Sequence, residues 1–250
     1  MIPSLVLAVR FLTILPVPGR EAEGPRALGR AAWWFPIVGL ALGAVLVALD
    51  RLLSLAFPAL LAALLVVSLW KVATGGIHLD GLADCLDGLG GRDVQHRLAI
   101  MRDSRVGAFG AVGLIIYFLT SLLALAETPV GVRDRVLLLA PAVGRLAPLL
   151  IGPRFRAATP DHGSGSRFLE GLSGWAGPVH LAAAVAGSAW LVGAQGPIMV
   201  LGAILVVFVW SAFLARRLGG LTGDALGSGV ELGELGMLLG AASLAHLGLV

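Results

Sequence analysis

The sequence predicts an all-α fold, a helical bundle that crosses a membrane several times. Of its 250 residues, 58% are hydrophobic and 13% are charged, and the mean hydropathy is +0.93. Soluble domains carry roughly 45–50% apolar and about 25% charged residues, so we expect lipid to contact most of this surface. The apolar runs do not alternate as barrel strands do, which leaves α-helices as the structure that satisfies backbone polar groups within lipid.

About seven transmembrane helices are expected, in one integral membrane domain that covers residues 1–250. A span needs about 20 mostly apolar residues. The first apolar stretch, residues 2–15, is short and contains Arg10, so it predicts an N-terminal amphipathic or re-entrant helix, or an eighth span. The seven candidate spans lie at residues 33–49, 52–70, 106–126, 136–151, 175–193, 197–215 and 235–250.

Small residues are frequent in these runs. The chain has 35 glycines, and the segment GLALG occupies residues 39–43. Glycine allows helix backbones to approach closely within a membrane, so this face predicts tight packing within the chain or between subunits of a homo-oligomer.

The basic residues predict the orientation in the membrane. The net charge is +3, but no Lys/Arg tract indicates binding to nucleic acid. If the seven spans cross the membrane in alternating directions, thirteen of the 18 basic residues fall on one side. The positive-inside rule predicts that this side is cytoplasmic. This side holds the loops 71–105, 152–174 and 216–234. Its basic residues are Arg20, Arg26, Arg30, Lys71, Arg92, Arg97, Arg102, Arg105, Arg154, Arg156, Arg167, Arg216 and Arg217.

Three carboxylates interrupt the apolar pattern in GGIHLDGLADCLDGLGG, residues 75–91. Asp80, Asp84 and Asp87 have the spacing i, i+4, i+7, which places them on one face of a helix. Their mutual repulsion calls for a cation, and carboxylate oxygens suit Mg²⁺ or Mn²⁺. His78 precedes Asp80 by two residues and is a candidate contact to phosphate or metal. The alternatives are a solvated acidic face and a structural histidine.

Two further clusters contain candidate phosphate-binding residues. The segment IMRDSRVGAFG, residues 100–110, carries two guanidiniums that suit phosphate oxygens or, alternatively, anchor a membrane helix. The segment GGLTGDALGSGVELGE, residues 219–234, is rich in glycines that let phosphate approach backbone N–H groups, although a plain turn is equally compatible. The candidates in these clusters are Arg102, Asp103, Ser104, Arg105, Thr222, Asp224 and Glu231.

These segments resemble the cobalamin synthase family, the adenosylcobinamide-GDP ribazoletransferases. The resemblance is carried by HLDGLADCLDG and DSRVGAFG, within residues 75–91 and 100–110. Further blocks that resemble the family are RFLTILPVPG (10–19), WWFPIVGLALG (33–43), APAVGRLAP (140–148) and GGLTGDALGSGVELGE (219–234). The glycine-rich run at 227–230 departs from the family pattern.

The resemblance implies a multi-pass enzyme of the bacterial or archaeal inner membrane. It would join adenosylcobinamide-GDP to α-ribazole or α-ribazole 5′-phosphate with release of GMP, using Mg²⁺. Asp80, Asp84 and Asp87 would bind the metal. The catalytic residues would be Asp103, Asp87 and His78, with Asp103 either a further ligand or the general base. Arg102 and Arg105 would hold phosphates, with Thr222 and Asp224 closing the site. The resemblance also leaves open an association with other corrinoid enzymes.

Two other functions are compatible with spaced acids in a membrane protein. A CDP-alcohol-type phosphotransferase acting on a lipid alcohol uses similar chemistry, but Asp84 stands where that family's pattern has Arg. A divalent-cation transporter also uses intramembrane acids, although it normally places them at broken helices near the membrane midplane.

Overall fold

The computed structural model describes residues 2–159 and 164–250, without the side chains of Ser164 and Arg167. The described residues form α-helices, two short 3₁₀ turns and one isolated β-bridge, which confirms the predicted all-helical fold. Residues 160–163, within the predicted loop 152–174, lie outside this description. The α-helices are α1 (Ile2–Leu12), α2 (Ala27–Ala31), α3 (Phe35–Ser54), α4 (Ala59–Ala73), α5 (Ile77–Gly88), α6 (Val94–Ile100), α7 (Ala108–Glu127), α8 (Val130–Ile151), α9 (Ser164–Gly171), α10 (Ala176–Val192), α11 (Gln195–Leu218) and α12 (Gly223–His246).

Four helical segments of the described chain are long and apolar enough to cross a membrane: Ala27–Ser54, Ala108–Glu127, Val130–Arg154 and Gln195–Leu218. Helices α4 and α5 form a fifth candidate if the pair counts as one broken span, since they meet at a bend of 92°. The prediction of seven spans is therefore not reproduced. Helices α4 and α10 have only 15 and 17 residues, and the run 235–250 is mostly the second half of α12.

Helix α8 lies at the centre of the bundle. In the most apolar 18-residue stretch of Val130–Arg154, 89% is buried. It packs against α3, α10, α11 and α12. A Cβ atom added to Gly39 of α3 would lie 2.6 Å from the Cα of Ala142, and one on Gly43 would overlap the backbone of Leu138. The glycine face at 39–43 therefore provides close helix packing within the chain, as its composition allows.

The outer helices expose apolar side chains. On α7 these include Ile115 and Ile116, and on α11 they include Leu205 and Val209, all more than half exposed. A water-soluble protein would rarely expose an apolar surface of this extent, so these faces are suited to contact a lipid bilayer.

The bend between α4 and α5 positions the predicted site. Gly75 and Gly76 have φ angles of +63° and +67°, a left-handed conformation that side chains other than glycine rarely adopt. After the bend, α5 packs against α7, α12 and α6. The acidic helix α5 thus lies between the first turn of α12 and the loop that precedes α7.

Candidate functional site

The carboxylates of α5 form an acidic cluster with Asp224 of α12. Asp80 is exposed, and Asp84 and Asp224 are half-buried. A Cβ atom on Gly81 would lie 2.8 Å from the carbonyl oxygen of Asp224, so the two helices touch at this point. The negative charges of Asp80, Asp224 and Asp87 all act on the Asp84 carboxylate. The predicted helix over this spacing is confirmed, and Asp224 joins the cluster from the far end of the chain.

Asp87 holds the N-terminus of α7 against α5. One of its carboxylate oxygens accepts a hydrogen bond from the Gly107 N–H and the other accepts one from the Gly110 N–H, each at 2.8 Å. These N–H groups lack partners within their own helix, and a carboxylate also interacts favourably with the helix dipole there. Both oxygens are engaged in this contact. The structure therefore gives Asp87 an anchoring role, while the metal-binding and catalytic roles predicted for it stay predictions.

We expect Gly110→Ala to lower the stability of the protein. A Cβ atom at Gly110 would overlap the Asp87 carboxylate, whereas one at Gly131 of α8 would meet nothing within 4 Å. Overpacking of this kind costs about 1–3 kcal/mol. The measurement is the midpoint of thermal unfolding in detergent, with Gly131→Ala as the control. Equal midpoints for the two variants would contradict the anchoring contact.

The loop between α6 and α7 carries a half-buried acid, Asp103, and exposed bases. Arg105 donates to both carboxylate oxygens of Asp103, with Nε–Oδ1 and Nη2–Oδ2 distances of 3.0 and 2.6 Å. The hydrogen bonds from Arg105 lower the pKa of Asp103 to about 2. Asp103 is thus engaged with Arg105, and its role as a metal ligand or general base stays a prediction. Arg102 and Ser104 are exposed beside this pair.

Thr222 has a local structural role. It is the N-cap residue of α12, and its Oγ1 accepts a hydrogen bond from the Ala225 N–H at 3.1 Å. This cap fixes the first turn of α12, which contains Asp224. Thr222 thus acts on the site by positioning Asp224, while a direct contact to phosphate stays a prediction.

Glu231 is buried, and its predicted position in a loop is wrong. It lies in the middle of α12, 1% exposed, and its Oε2 is 2.5 Å from the Nζ of Lys71. Glu234 is equally buried; its Oε2 is 2.6 Å from the same Nζ, and its Oε1 pairs with Arg145. Neutralisation by two cations explains how this stretch remains helical inside the bundle.

Lys71, Arg145 and Tyr117 complete this buried network, and none of them is among the predicted site residues. Lys71, predicted in a cytoplasmic loop, lies in α4 and is 4% exposed. Its Nζ lies 5.1 Å from the ring centre of Tyr117. The side chain of Tyr117 also lies close enough to Glu231 to interact with it. The available signal was the presence of Lys71 and Arg145 at or within apolar runs, where charges require partners.

His78 lies in the wall of a cavity of about 200 Å³. The cavity is bounded by the N-terminal ends of α5 and α12 and by side chains from α1, α3 and α9, and Asp224 also contributes to its wall. His78 is 6% exposed. His78 therefore contributes to the cavity wall, whereas Asp80 lies on the exposed surface of the acidic cluster.

The donor chemistry of the acidic cluster fits a hard divalent cation. Asp80, Asp84 and Asp224 offer carboxylate oxygens, the ligands that Mg²⁺ prefers, and their mutual repulsion favours a bound cation. Within residues 2–159 and 164–250, no three acidic, histidine or cysteine side chains already converge as a metal site. The cluster therefore matches a divalent cation in the type of its donor atoms and in its negative charge.

Comparison with known families identifies the chain. The family described as "Cobalamin-5-phosphate synthase" matches residues 4–242, nearly the whole length. The chain belongs to the cobalamin-5-phosphate synthase family. The match includes both the acidic helix α5 and the first turn of α12.

Curated relatives of this cobalamin-5-phosphate synthase family member cover almost all of the chain. A protein of Geotalea daltonii is 38% identical over 94% of this chain and 95% of its own length. A protein of Klebsiella pneumoniae subsp. pneumoniae is 40% identical over 96% and 99%, respectively. Both are named adenosylcobinamide-GDP ribazoletransferase. No solved structure shows a significant match.

Proposed function

We propose that this chain transfers the adenosylcobinamide-phosphate group from adenosylcobinamide-GDP to α-ribazole or α-ribazole 5′-phosphate. The products are GMP and adenosylcobalamin or its 5′-phosphate. The observation that carries the proposal is the family match over residues 4–242, together with relatives of that name that align along nearly their full lengths. The acidic cluster beside a partly aromatic cavity supplies a suitable place for the reaction.

The reaction is a displacement at phosphorus. A hydroxyl oxygen of the ribazole ribose forms a bond to the phosphorus that carries the cobinamide, and the bond from that phosphorus to the bridging oxygen of GMP breaks. The hydroxyl proton passes to solvent or to a carboxylate, and GMP leaves with the bridging oxygen. A protein promotes this chemistry mainly by positioning the reactants and neutralising charge.

Three carboxylates are proposed to hold Mg²⁺, namely Asp80, Asp84 and Asp224. The metal, when bound, would neutralise phosphate charge at the site. Asp84 is the central member of the set, since it is half-buried and the charges of the other two act on it. Mn²⁺ prefers the same oxygen ligands and is expected to substitute for Mg²⁺. Asp87 is not included because both its oxygens bind the α7 N-terminus.

The exposed arginines of the α6–α7 loop are proposed to bind phosphate oxygens of the donor. The Asp87 contact to Gly107 fixes the end of this loop next to the C-terminal part of α5. Arg102 is exposed beside it, and Arg105 presents a largely exposed guanidinium even while it pairs with Asp103. The planar donor fork of arginine suits a phosphate group.

The proposed location is the inner membrane, with the acidic cluster facing the cytoplasm. The distribution of basic residues supports this orientation, because Arg92, Arg97, Arg102 and Arg105 all lie close in sequence to α5. The large, charged donor would then reach the site from the cytoplasm.

The test is GMP release by the detergent-purified protein. We expect release from adenosylcobinamide-GDP only when α-ribazole or its 5′-phosphate is present with Mg²⁺, and loss of release in excess EDTA with recovery on adding Mg²⁺. Absence of release by protein shown to be folded would contradict the proposed transfer. A CDP-alcohol donor would then be the next substrate tried, followed by cation flux in proteoliposomes.

A further inference from the structure

The cavity next to the acidic cluster has the chemistry of a site for a flat aromatic ring. Phe11, Phe35 and Phe168 line it together with Leu226. Its polar contributors include His78 and Asp224. A site of this kind, mostly apolar with a few placed polar groups, is typical of small-molecule binding.

His78, which contributes to this wall, has a buried imidazole nitrogen without a hydrogen-bond partner. The side chain is 6% exposed, and its Nδ1 has no hydrogen-bond partner among the described residues. A buried polar atom without a partner destabilises the folded protein, so such atoms often indicate a missing ligand or water. Nδ1 itself is covered by neighbouring atoms, so an occupant of the cavity would reach it after a rotation of the imidazole ring.

We propose that the cavity binds the bicyclic aromatic base of the acceptor nucleoside, with the imidazole of His78 hydrogen-bonded to the ring nitrogen that carries no ribose. This inference rests on the proposed transfer to α-ribazole. Asp224 belongs to both the cavity wall and the acidic cluster, so a base in the cavity places the attached ribose beside the proposed metal ligands. The base would thereby position the reacting hydroxyl.

The guanine of the donor fits this cavity less well. Guanine carries several hydrogen-bond donors and acceptors along its edges, and a wall made largely of phenylalanine and aliphatic side chains would leave most of them unpaired. A benzimidazole-type base has one free ring nitrogen and otherwise apolar edges, which matches one orphaned imidazole nitrogen in an aromatic wall.

Filling the cavity from Gly227 tests the proposal. A Cβ atom on Gly227 would lie 3.6 Å from the Cα and the Cδ2 of His78, an ordinary contact, so the outer carbons of a leucine would enter the cavity. We expect Gly227→Leu to raise the KM for α-ribazole about tenfold or more and to leave the KM for adenosylcobinamide-GDP nearly unchanged. The matched control is Gly202→Leu on α11, where a Cβ atom would meet nothing within 4 Å.

A second variant tests the hydrogen bond and does not depend on Gly227→Leu folding. Binding to detergent-purified protein is measured by equilibrium dialysis for α-ribazole and for its analogue with an indole base, which lacks the free ring nitrogen. Wild-type protein should bind α-ribazole about fivefold more tightly than the analogue, as loss of one hydrogen bond implies. His78→Leu should bind both equally.

The outcomes separate this inference from the proposed function. An unchanged KM for α-ribazole in folded Gly227→Leu, or equal binding of the two nucleosides by wild-type protein, overturns the base site while GMP release still supports the transferase. A rise in the KM for adenosylcobinamide-GDP alone would place the donor in the cavity and also overturn it. Tight, His78-dependent binding of α-ribazole without any GMP release would support the base site and count against the transferase.

Discussion

Asp84→Asn is expected to reduce GMP release by at least about 10²–10³-fold, the range found when one electrostatic contact to a transition state is removed. Asp84 is half-buried, and the charges of Asp80 and Asp224 act on it. The amide keeps the shape of the side chain but loses the negative charge that would bind a divalent cation. The measurement is the rate of GMP release at saturating substrates over a range of Mg²⁺ concentrations.

The control for this variant is Glu127→Gln. It removes one negative charge at the exposed C-terminal end of α7, far along that helix from the Asp87 contact. Folding is checked with a fluorogenic thiol dye, because Cys85 is the only cysteine and is 1% exposed on the same helix as Asp84. Turnover at the wild-type rate by folded Asp84→Asn would refute the assignment of Asp84 to the metal site.

Local patterns in the sequence were sufficient to predict that the acidic segment forms a helix. The spacing of Asp80 and Asp84 depends only on helical periodicity, and α5 forms over that stretch. The same arithmetic could not assign Asp87, because its partners are the N–H groups of Gly107 and Gly110, about 20 residues further along the chain. Periodicity predicts the direction of a side chain but not which helix end packs against it.

Hydropathy failed where charges neutralise one another in the interior. Glu231 and Glu234 lower the local hydropathy, so the sequence indicated a loop there, yet α12 runs without interruption from Gly223 to His246. Their partners, Lys71 and Arg145, come from α4 and α8. Hydropathy averaged along the sequence treats each charge separately and predicts that it faces water. In the folded bundle, two cations pair with two anions that are distant in sequence.

This neutral network makes the strongest prediction for stability. Lys71, Arg145, Glu231 and Glu234 are each at most 4% exposed and carry no net charge together. Lys71→Met would leave one uncompensated negative charge in the interior. Removal of one member of a buried ion pair costs about 3–5 kcal/mol, so we expect a loss of that size in the free energy of unfolding. It is measured by titration with a denaturing detergent, with the Cys85 dye as the probe.

The double variant Lys71→Met/Glu231→Gln distinguishes charge balance from the loss of packing around Lys71. It removes one cation and one anion, while Glu234 keeps its pair with Arg145. If the uncompensated charge causes the instability, the double variant must be more stable than Lys71→Met alone. If instead the contacts of the Lys71 ammonium with Trp70 and Tyr117 dominate, the second substitution restores nothing, because those contacts are absent from both variants.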